Sequence, residues 1–163
     1  MLIRPATEND LPSIVKIYNS TIASRMVTAD TTPVSVASKT SWFQEHNTEY
    51  RPIWVAEEDR IILGWLSFSN FYNRPAYQPT AELSIYIAEG QRGKGLGKQF
   101  LTKAIQEAPN LGITTLLGFI FAHNEPSLSL FKRFNFEPWG FLPRVAVLDG
   151  VERDLAILGL RVG

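Results

Sequence analysis

The chain has no cysteine among its 163 residues. Disulfides, thiolate metal sites and a cysteine nucleophile are excluded, and with them any transfer through a cysteine-bound acyl group. Only two histidines are present, His46 and His123, too few for a multi-histidine metal centre, so no metal is expected. Net charge is also lacking, since 16 Lys and Arg balance 16 Asp and Glu. Such a balance does not supply the broad basic face that a phosphate backbone requires, and nucleic acid is not an expected partner. No apolar run approaches the ~18 residues needed to cross a bilayer. The opening Met1-Leu2-Ile3-Arg4-Pro5 has no charged stretch followed by an apolar one, as a secretory signal would. The expectation is a cytoplasmic protein that does not work on membranes. With no repeat, low-complexity stretch or linker in evidence, one domain over residues 1–163 is expected.

What is present suits a globular α/β chain: the hydrophobic share is 45%, and patterns of both periods alternate. Leu2-Ile3-Arg4 reads as a short strand. Thr7 with Asp10 three residues on resembles a capping box, and Leu11, Ile14, Val15 and Tyr18 follow at helical spacing. Residues 21–34 read as loop, and Ser35 to His46 as a helix carrying Trp42 and Phe43, with His46 on the surface. Strands are expected over Ile53–Ala56 and Ile61–Phe68, joined by a turn at Glu57–Arg60. Phe71 to Pro79 is expected to be a loop. A strand over Glu82–Ala88, a helix over Leu96–Ala108, a strand over Thr114–Phe121 and a helix over Glu125–Phe134 follow. Two closing strands, Gly140–Leu148 and Asp154–Arg161, turn at Asp149-Gly150. Several antiparallel hairpins thus surround one β-α-β unit.

The segment Ser84 to Lys98 is the most informative. An apolar strand leads into a loop with glycines at 90, 93, 95 and 97, and then into an amphipathic helix. Glycines let backbone N–H groups converge without Cβ obstruction, and the helix start adds unpaired N–H groups and a positive dipole end. With Arg92, Lys94 and Lys98 close by, this is an anion cradle suited to a pyrophosphate. A Walker A loop would need Gly-Lys followed by Ser or Thr, whereas Lys94 precedes Gly95 and Lys98 precedes Gln99. A dinucleotide fingerprint belongs after an early strand of a parallel sheet, but this loop lies mid-chain among hairpins. A solubilising surface turn would not need four glycines feeding a helix. A coenzyme A pyrophosphate loop remains.

Arg92-Gly93-Lys94-Gly95-Leu96-Gly97 resembles the Arg/Gln-x-x-Gly-x-Gly/Ala signature of the GNAT acetyltransferases. A second stretch, Phe119 to Phe136, is similar to the same family's strand, Asn, Ser three residues later, and Phe-bearing turn. Asn124 as N-cap and Pro126 in the first turn would by themselves indicate only a capped helix. Other segments resemble the branch that contains phosphinothricin and methionine sulfoximine N-acetyltransferases. They are Ile3 to Leu11, Ile17-Tyr18-Asn19, Ala56 to Trp65, Phe71 to Tyr77, Thr80 to Ile87, and Val145 to Leu155. In two places the chain departs from the family pattern. Asn135 replaces the glycine after the second helix, and positions 131, 134 and 136 are all Phe, so the family's tyrosine general acid is not carried over.

The resemblance implies a GNAT acyl-CoA N-acyltransferase fold, α/β with a mixed, mostly antiparallel sheet, and acetyl-CoA as acetyl donor. It implies a homodimer as well. It places Ile85, Tyr86, Ile87, Arg92, Gly93, Lys94, Gly95, Leu96, Gly97, Lys98, Asn124 and Ser127 at the coenzyme. It places Asn73, Arg74, Pro75, Glu82, Leu83 and Ser84 at the amine substrate. The strand at Ile85-Tyr86-Ile87 should splay from its neighbour and leave N–H groups for the pantetheine arm. Glu82 is the expected base, directly or through a water, because an ammonium has no lone pair with which to attack. A thiol leaving group with a pKa of about 8.5 needs little acid assistance. Arg74 could fork onto an anionic acceptor group. Acetylation of a protein N-terminus or a polyamine, and acetyl-CoA sensing without turnover, stay open as alternatives.

Overall fold

A computed structural model describes all of residues 1–163. The strands are β1 (Leu2–Pro5), β2 (Ile53–Glu58), β3 (Ile61–Asn70), β4 (Thr80–Ile87), β5 (Thr115–Phe121), β6 (Glu137–Leu148) and β7 (Val151–Arg161). The α-helices are α1 (Leu11–Ile22), α2 (Thr40–Gln44), α3 (Leu96–Glu107) and α4 (Glu125–Arg133). The strands form one sheet in the order β1-β2-β3-β4-β5-β7-β6. Every neighbouring pair is antiparallel except β4 and β5, which are parallel and bracket α3.

Period-2 alternation sends the two sets of strand side chains to opposite faces. Trp54 and Ala56 of β2, Leu66 and Phe68 of β3, and Leu83 of β4 join the main core, with Phe100, Leu101 and Ala104 of α3 and Phe131 of α4. Each fully buried Leu or Phe there contributes about 1.5–3 kcal/mol. Ile53, Val55 and Trp65 face the other way and pack against Ile14 and Ile17 of α1. On that same side β4 carries Glu82, Ser84 and Tyr86. Arg4 fastens β1 to its surroundings, donating to Asp10 at 2.8 Å and to Glu57 at 3.0 Å. Asp10 in turn accepts from the Thr7 N–H at 2.8 Å, and the Arg4 guanidinium holds its carboxyl below the usual carboxylate range.

Several boundaries differ from the sequence reading. The helix expected over 35–46 is only a 3₁₀ turn at Ala37–Lys39 followed by the five-residue α2. The segment is rich in Ser and Thr, which compete for the backbone, and only Trp42 and Phe43 find apolar partners. His46 is half-buried rather than superficial, edge-on to Trp42 and bonded through Nδ1 to the Trp42 carbonyl at 2.8 Å. β6 and β7 begin three residues earlier than expected, β7 because the hairpin pairs through to the Asp149-Gly150 turn and β6 because Glu137 and Pro138 pair with Gly159 and Leu158 at its far end. The β2–β3 turn narrows to Asp59-Arg60, both with positive φ, as a two-residue hairpin loop with matching twist requires. Asn135 has φ 68°, so it takes the left-handed position for which glycine is the usual residue.

Candidate active site

β4 and β5 pair over only three residues, ending at Glu82 opposite Leu117. β4 then runs on to Ile87 with β3 as its only partner, and β5 turns away to pair with β7. From Leu83 onward, the β4 peptide groups that face away from β3 have no strand to bond, and such groups demand partners. Between the diverging strands lies a cavity of about 810 Å³. Leu83 to Ile87 form one wall, Phe119 to Phe121 another, and the glycine loop a third.

The glycine loop is built as a cradle. Gly93 and Gly95 have φ of 76° and 83°, in the left-handed region. Gly95 caps α3, accepting from the Gln99 N–H at 3.2 Å. The first N–H groups of the helix are left without intrahelical partners and point toward the loop. Gly97 serves packing: a Cβ there would meet Leu130 of α4 at 2.8 Å. Arg92, Gly93, Gly95, Leu96, Gly97 and Lys98 line the cavity, whereas Lys94 is exposed beside it. The fit to a pyrophosphate-bearing coenzyme is direct, because N–H groups, a helix start and two cations converge on one end of an elongated cleft.

Asn124 caps α4, its Oδ1 accepting from the Ser127 N–H at 3.3 Å, and its Nδ2 donates to the Met26 carbonyl at 3.1 Å. Both Asn124 and Ser127 line the cavity. Residues 23–34, read from sequence only as loop, form a wall that is tied down at several points. Ring nitrogen Nε2 of His123 bonds the Arg25 carbonyl at 2.8 Å, Arg25 pairs with Asp149 at 2.9 Å, and the Asn19 side chain exchanges two 2.9 Å bonds with the Val34 backbone. Tyr18 bonds both Thr28 and Asp30. No local sequence signal marked this wall, because every tether reaches it from elsewhere in the chain. Replacing Asn124 with alanine removes a helix cap worth about 1 kcal/mol and a tether worth about 1 kcal/mol. The expected loss of about 2 kcal/mol lowers Tm by roughly 4–8 °C in a protein of this size, as calorimetry would measure.

Glu82 lines the large cavity and stands opposite Ser69 across β3. Burial raises its carboxyl above the ordinary value of 4.5, which moves a weak base toward useful strength. Tyr86 is raised chiefly by burial. Tyr18 is pushed up to about 12 by burial and by the neighbouring Asp30. Both phenols therefore keep their protons at neutral pH. Leu83, Ser84, Ile85 and Ile87 are cavity-lining as well. Asn73, Arg74 and Pro75 stand on an exposed loop outside its lining. Their nearest link to it is Phe71, stacked on Phe119 of the wall at 6.3 Å. Sequence reasoning passed over Arg133, Ser24 and the 26–29 stretch, which also line the cavity.

A splayed pair of parallel strands, a glycine cradle at a helix start and a half-buried carboxylate beside the split define an acyl-CoA-dependent acyltransferase. The profile of the acetyltransferase (GNAT) family matches residues 15–136, and the chain belongs to that family. It is 54% identical, over 98% of both chains, to the Bacillus subtilis protein YwnH, whose naming as a phosphinothricin acetyltransferase is provisional. It is 33% identical to an L-methionine sulfoximine/L-methionine sulfone acetyltransferase of Pseudomonas aeruginosa, covering 98% of this chain and 94% of the relative. Among solved structures, the GNAT phosphinothricin acetyltransferase of Sinorhizobium meliloti in complex with acetyl-CoA superposes with a TM-score of 0.93 at 29% identity. That match covers 99% of this chain and 88% of the other.

Proposed function

We propose that this enzyme transfers the acetyl group of acetyl-CoA directly to the primary amine of a small, amino-acid-like acceptor of the methionine sulfoximine, methionine sulfone or phosphinothricin type. The observation that carries the reading is the placing of Glu82, a desolvated carboxylate on β4 at the point where β4 leaves β5. The relatives' named substrates support the acceptor class.

Acetyl-CoA supplies a thioester with a thiol leaving group. Arg92, Lys98 and the N–H groups around Gly93 and Gly95 would hold its pyrophosphate, with Ser127 and Asn124 alongside. The outward peptide groups of β4 beyond Glu82 would hold the pantetheine arm and polarise the carbonyl. Glu82 takes the proton from the acceptor ammonium, directly or through a water, so that the lone pair can attack. Tyr18 and Tyr86 stay protonated and act as donors, not bases. Asn73, Arg74 and Pro75 belong, in this reading, to the outer rim of the acceptor's path, next to Phe71. A polyamine would call for carboxylates, but the charged residues lining the large cavity are Glu82, Arg92, Lys98 and Arg133.

Thiol release from acetyl-CoA tests the assignment. The acceptors are methionine sulfoximine, methionine sulfone, phosphinothricin, the common amino acids, spermidine and a short peptide. Strong turnover with the first three is the expected result, and turnover confined to spermidine or peptide would remove the acceptor class.

A homodimer fits the edge strand β6, on which Trp139, Phe141, Leu142, Val145 and Val147 are exposed. An open apolar edge of that length invites pairing or cover, and sedimentation velocity finding only monomer would reject it. Dependence on acetyl-CoA as donor supports the cytoplasm as the compartment.

A further inference from the structure

A second cavity, of about 170 Å³, lies on the opposite face of β4 from α3, between α1, α2 and the sheet. Its walls include Ser84 and Tyr86, which also line the large cavity, so the two meet at β4. Its aromatic side is a contiguous cluster. Trp65 stacks on Tyr86 at 4.5 Å, Trp42 meets Trp65 edge-on at 5.4 Å, and Tyr18 lies 5.1 Å from Tyr86. The Trp65 indole is held by the Ile14 carbonyl at 3.0 Å. Its polar side is a stripe of hydroxyls from Ser67, Ser69 and Ser84. Cross-strand register brings them together, with Ser67 opposite Ser84 and Ser69 opposite Glu82.

One charged residue lines this cavity, Lys39. It is half-buried, and its ammonium sits 5.5 Å from the Tyr18 ring centre and 5.7 Å from that of Trp42. None of the chain's ion pairs includes it. A lysine normally extends its head into water. Here the head is kept over two rings at the mouth of a small aromatic chamber, where a cation attracts anions more strongly than in bulk solvent.

We infer that Lys39 is the specificity-determining cation of the acceptor chamber, binding the anionic or strongly polarised oxygen group at the end of the acceptor remote from its amine. The proposal rests on the reading of β4 as the place where amine meets thioester. The amine belongs where the chambers join, at Ser84 and Tyr86. Lys39 stands against Tyr18 and Trp42, on the far wall from the serine stripe and Glu82. An α-carboxylate, one carbon from the amine, stays beside β4, whereas a group at the tip of a four- or five-atom side chain reaches several ångströms farther, toward the Tyr18 and Trp42 rings that hold the Lys39 ammonium. The walls between suit an apolar methylene stem. The acceptor class is thus an amino acid with a short aliphatic side chain ending in an anionic or strongly polarised oxygen group, such as a phosphinate, carboxylate, sulfone or sulfoximine. Arg74, exposed and outside this lining too, is not the cation of the chamber.

The test compares Lys39→Met and Lys39→Arg with the wild type on phosphinothricin, which ends in an anionic phosphinate, and on norleucine, which ends in a methyl group. The selectivity for phosphinothricin over norleucine, as a ratio of kcat/KM values, is expected to fall at least ten-fold in Lys39→Met. The loss should lie in KM rather than kcat, and Lys39→Arg should regain part of it. An unchanged ratio, or equal losses on both acceptors with a lowered Tm, would assign Lys39 a packing role and overturn the proposal. Trp42 and Trp65 allow a second readout without turnover: saturable quenching of their fluorescence by phosphinothricin in the wild type but not in Lys39→Met. Wild-type enzyme that shows this quenching yet releases no thiol would defeat the acetyl-transfer reading and leave the binding site standing. Wild-type enzyme that shows neither would overturn the site as well.

Discussion

Glu82→Gln is expected to lower kcat about 100-fold at neutral pH, near the lower end of what a positioned general base supplies. The carboxylate must be ionised to accept a proton, so wild-type activity should fall as pH drops through its pKa, which burial raises above 4.5. The inflection due to this carboxyl should vanish in the variant, leaving a rate that follows only the acceptor's own free-amine fraction. The deficit should shrink toward high pH, where free amine forms unaided. Rates across pH 5–10 with a saturating acceptor would show this, and a variant whose profile runs parallel to the wild type's across the whole range would remove Glu82 as the base. Stability should move the other way. An acid whose pKa is raised by folding favours the folded state most below its ordinary pKa, and that contribution is lost as pH climbs through the raised value. At pH 7 the wild type holds a desolvated charge that glutamine does not carry, so the variant should melt no lower. Lost activity with unchanged or higher Tm marks a residue kept for chemistry.

Gly95→Val should weaken acetyl-CoA binding at least 30-fold. Gly95 has φ 83° and ψ 8° as N-cap of α3. Space does not forbid a side chain, because nothing lies within 4 Å of a Cβ built there. The obstacle is conformational: a β-branched residue in the left-handed region costs about 2 kcal/mol. The chain can avoid that cost only by turning the peptide, which takes N–H groups out of the cradle. Calorimetric titration with acetyl-CoA would read the affinity, and Tm should fall by roughly 4–8 °C. Gly97→Ala makes the contrasting case. Its Cβ would approach a terminal methyl of Leu130 at 2.8 Å, which a leucine rotamer can relieve, so the loss should be smaller.

These expectations differ in how early they could be formed. The cradle is legible in the bare sequence because its causes are local. Positive φ selects glycine, a helix start leaves N–H groups open, and both lie within the eight residues from Gly90 to Gly97. The Asn124 cap and the left-handed Asn135 are legible for the same reason. Hydrophobic periodicity placed α3, β4, β5 and α4 to within a residue or two. It overextended the helix at 35–46, where two aromatic residues suggested a stripe that Ser and Thr could not sustain.

From the residues alone came the α/β class, the pyrophosphate loop and the absence of cysteine chemistry, and family resemblance added Glu82 as the carboxylate to test. Tertiary structure decided where the clefts run. The early divergence of β4 from β5 is a relation between residues 82 and 117, and the wall at 23–34 is held by residues 18, 123, 124 and 149. Ser67, Ser69 and Ser84 become one stripe only through the β3–β4 register, and Lys39 joins their chamber only because the 37–44 segment packs against that face of the sheet. Local rules of dihedral angle and periodicity act over a few residues, whereas a chamber is the sum of contacts separated by tens of residues. The donor side of this enzyme is therefore written in its motifs, and the acceptor side in its packing.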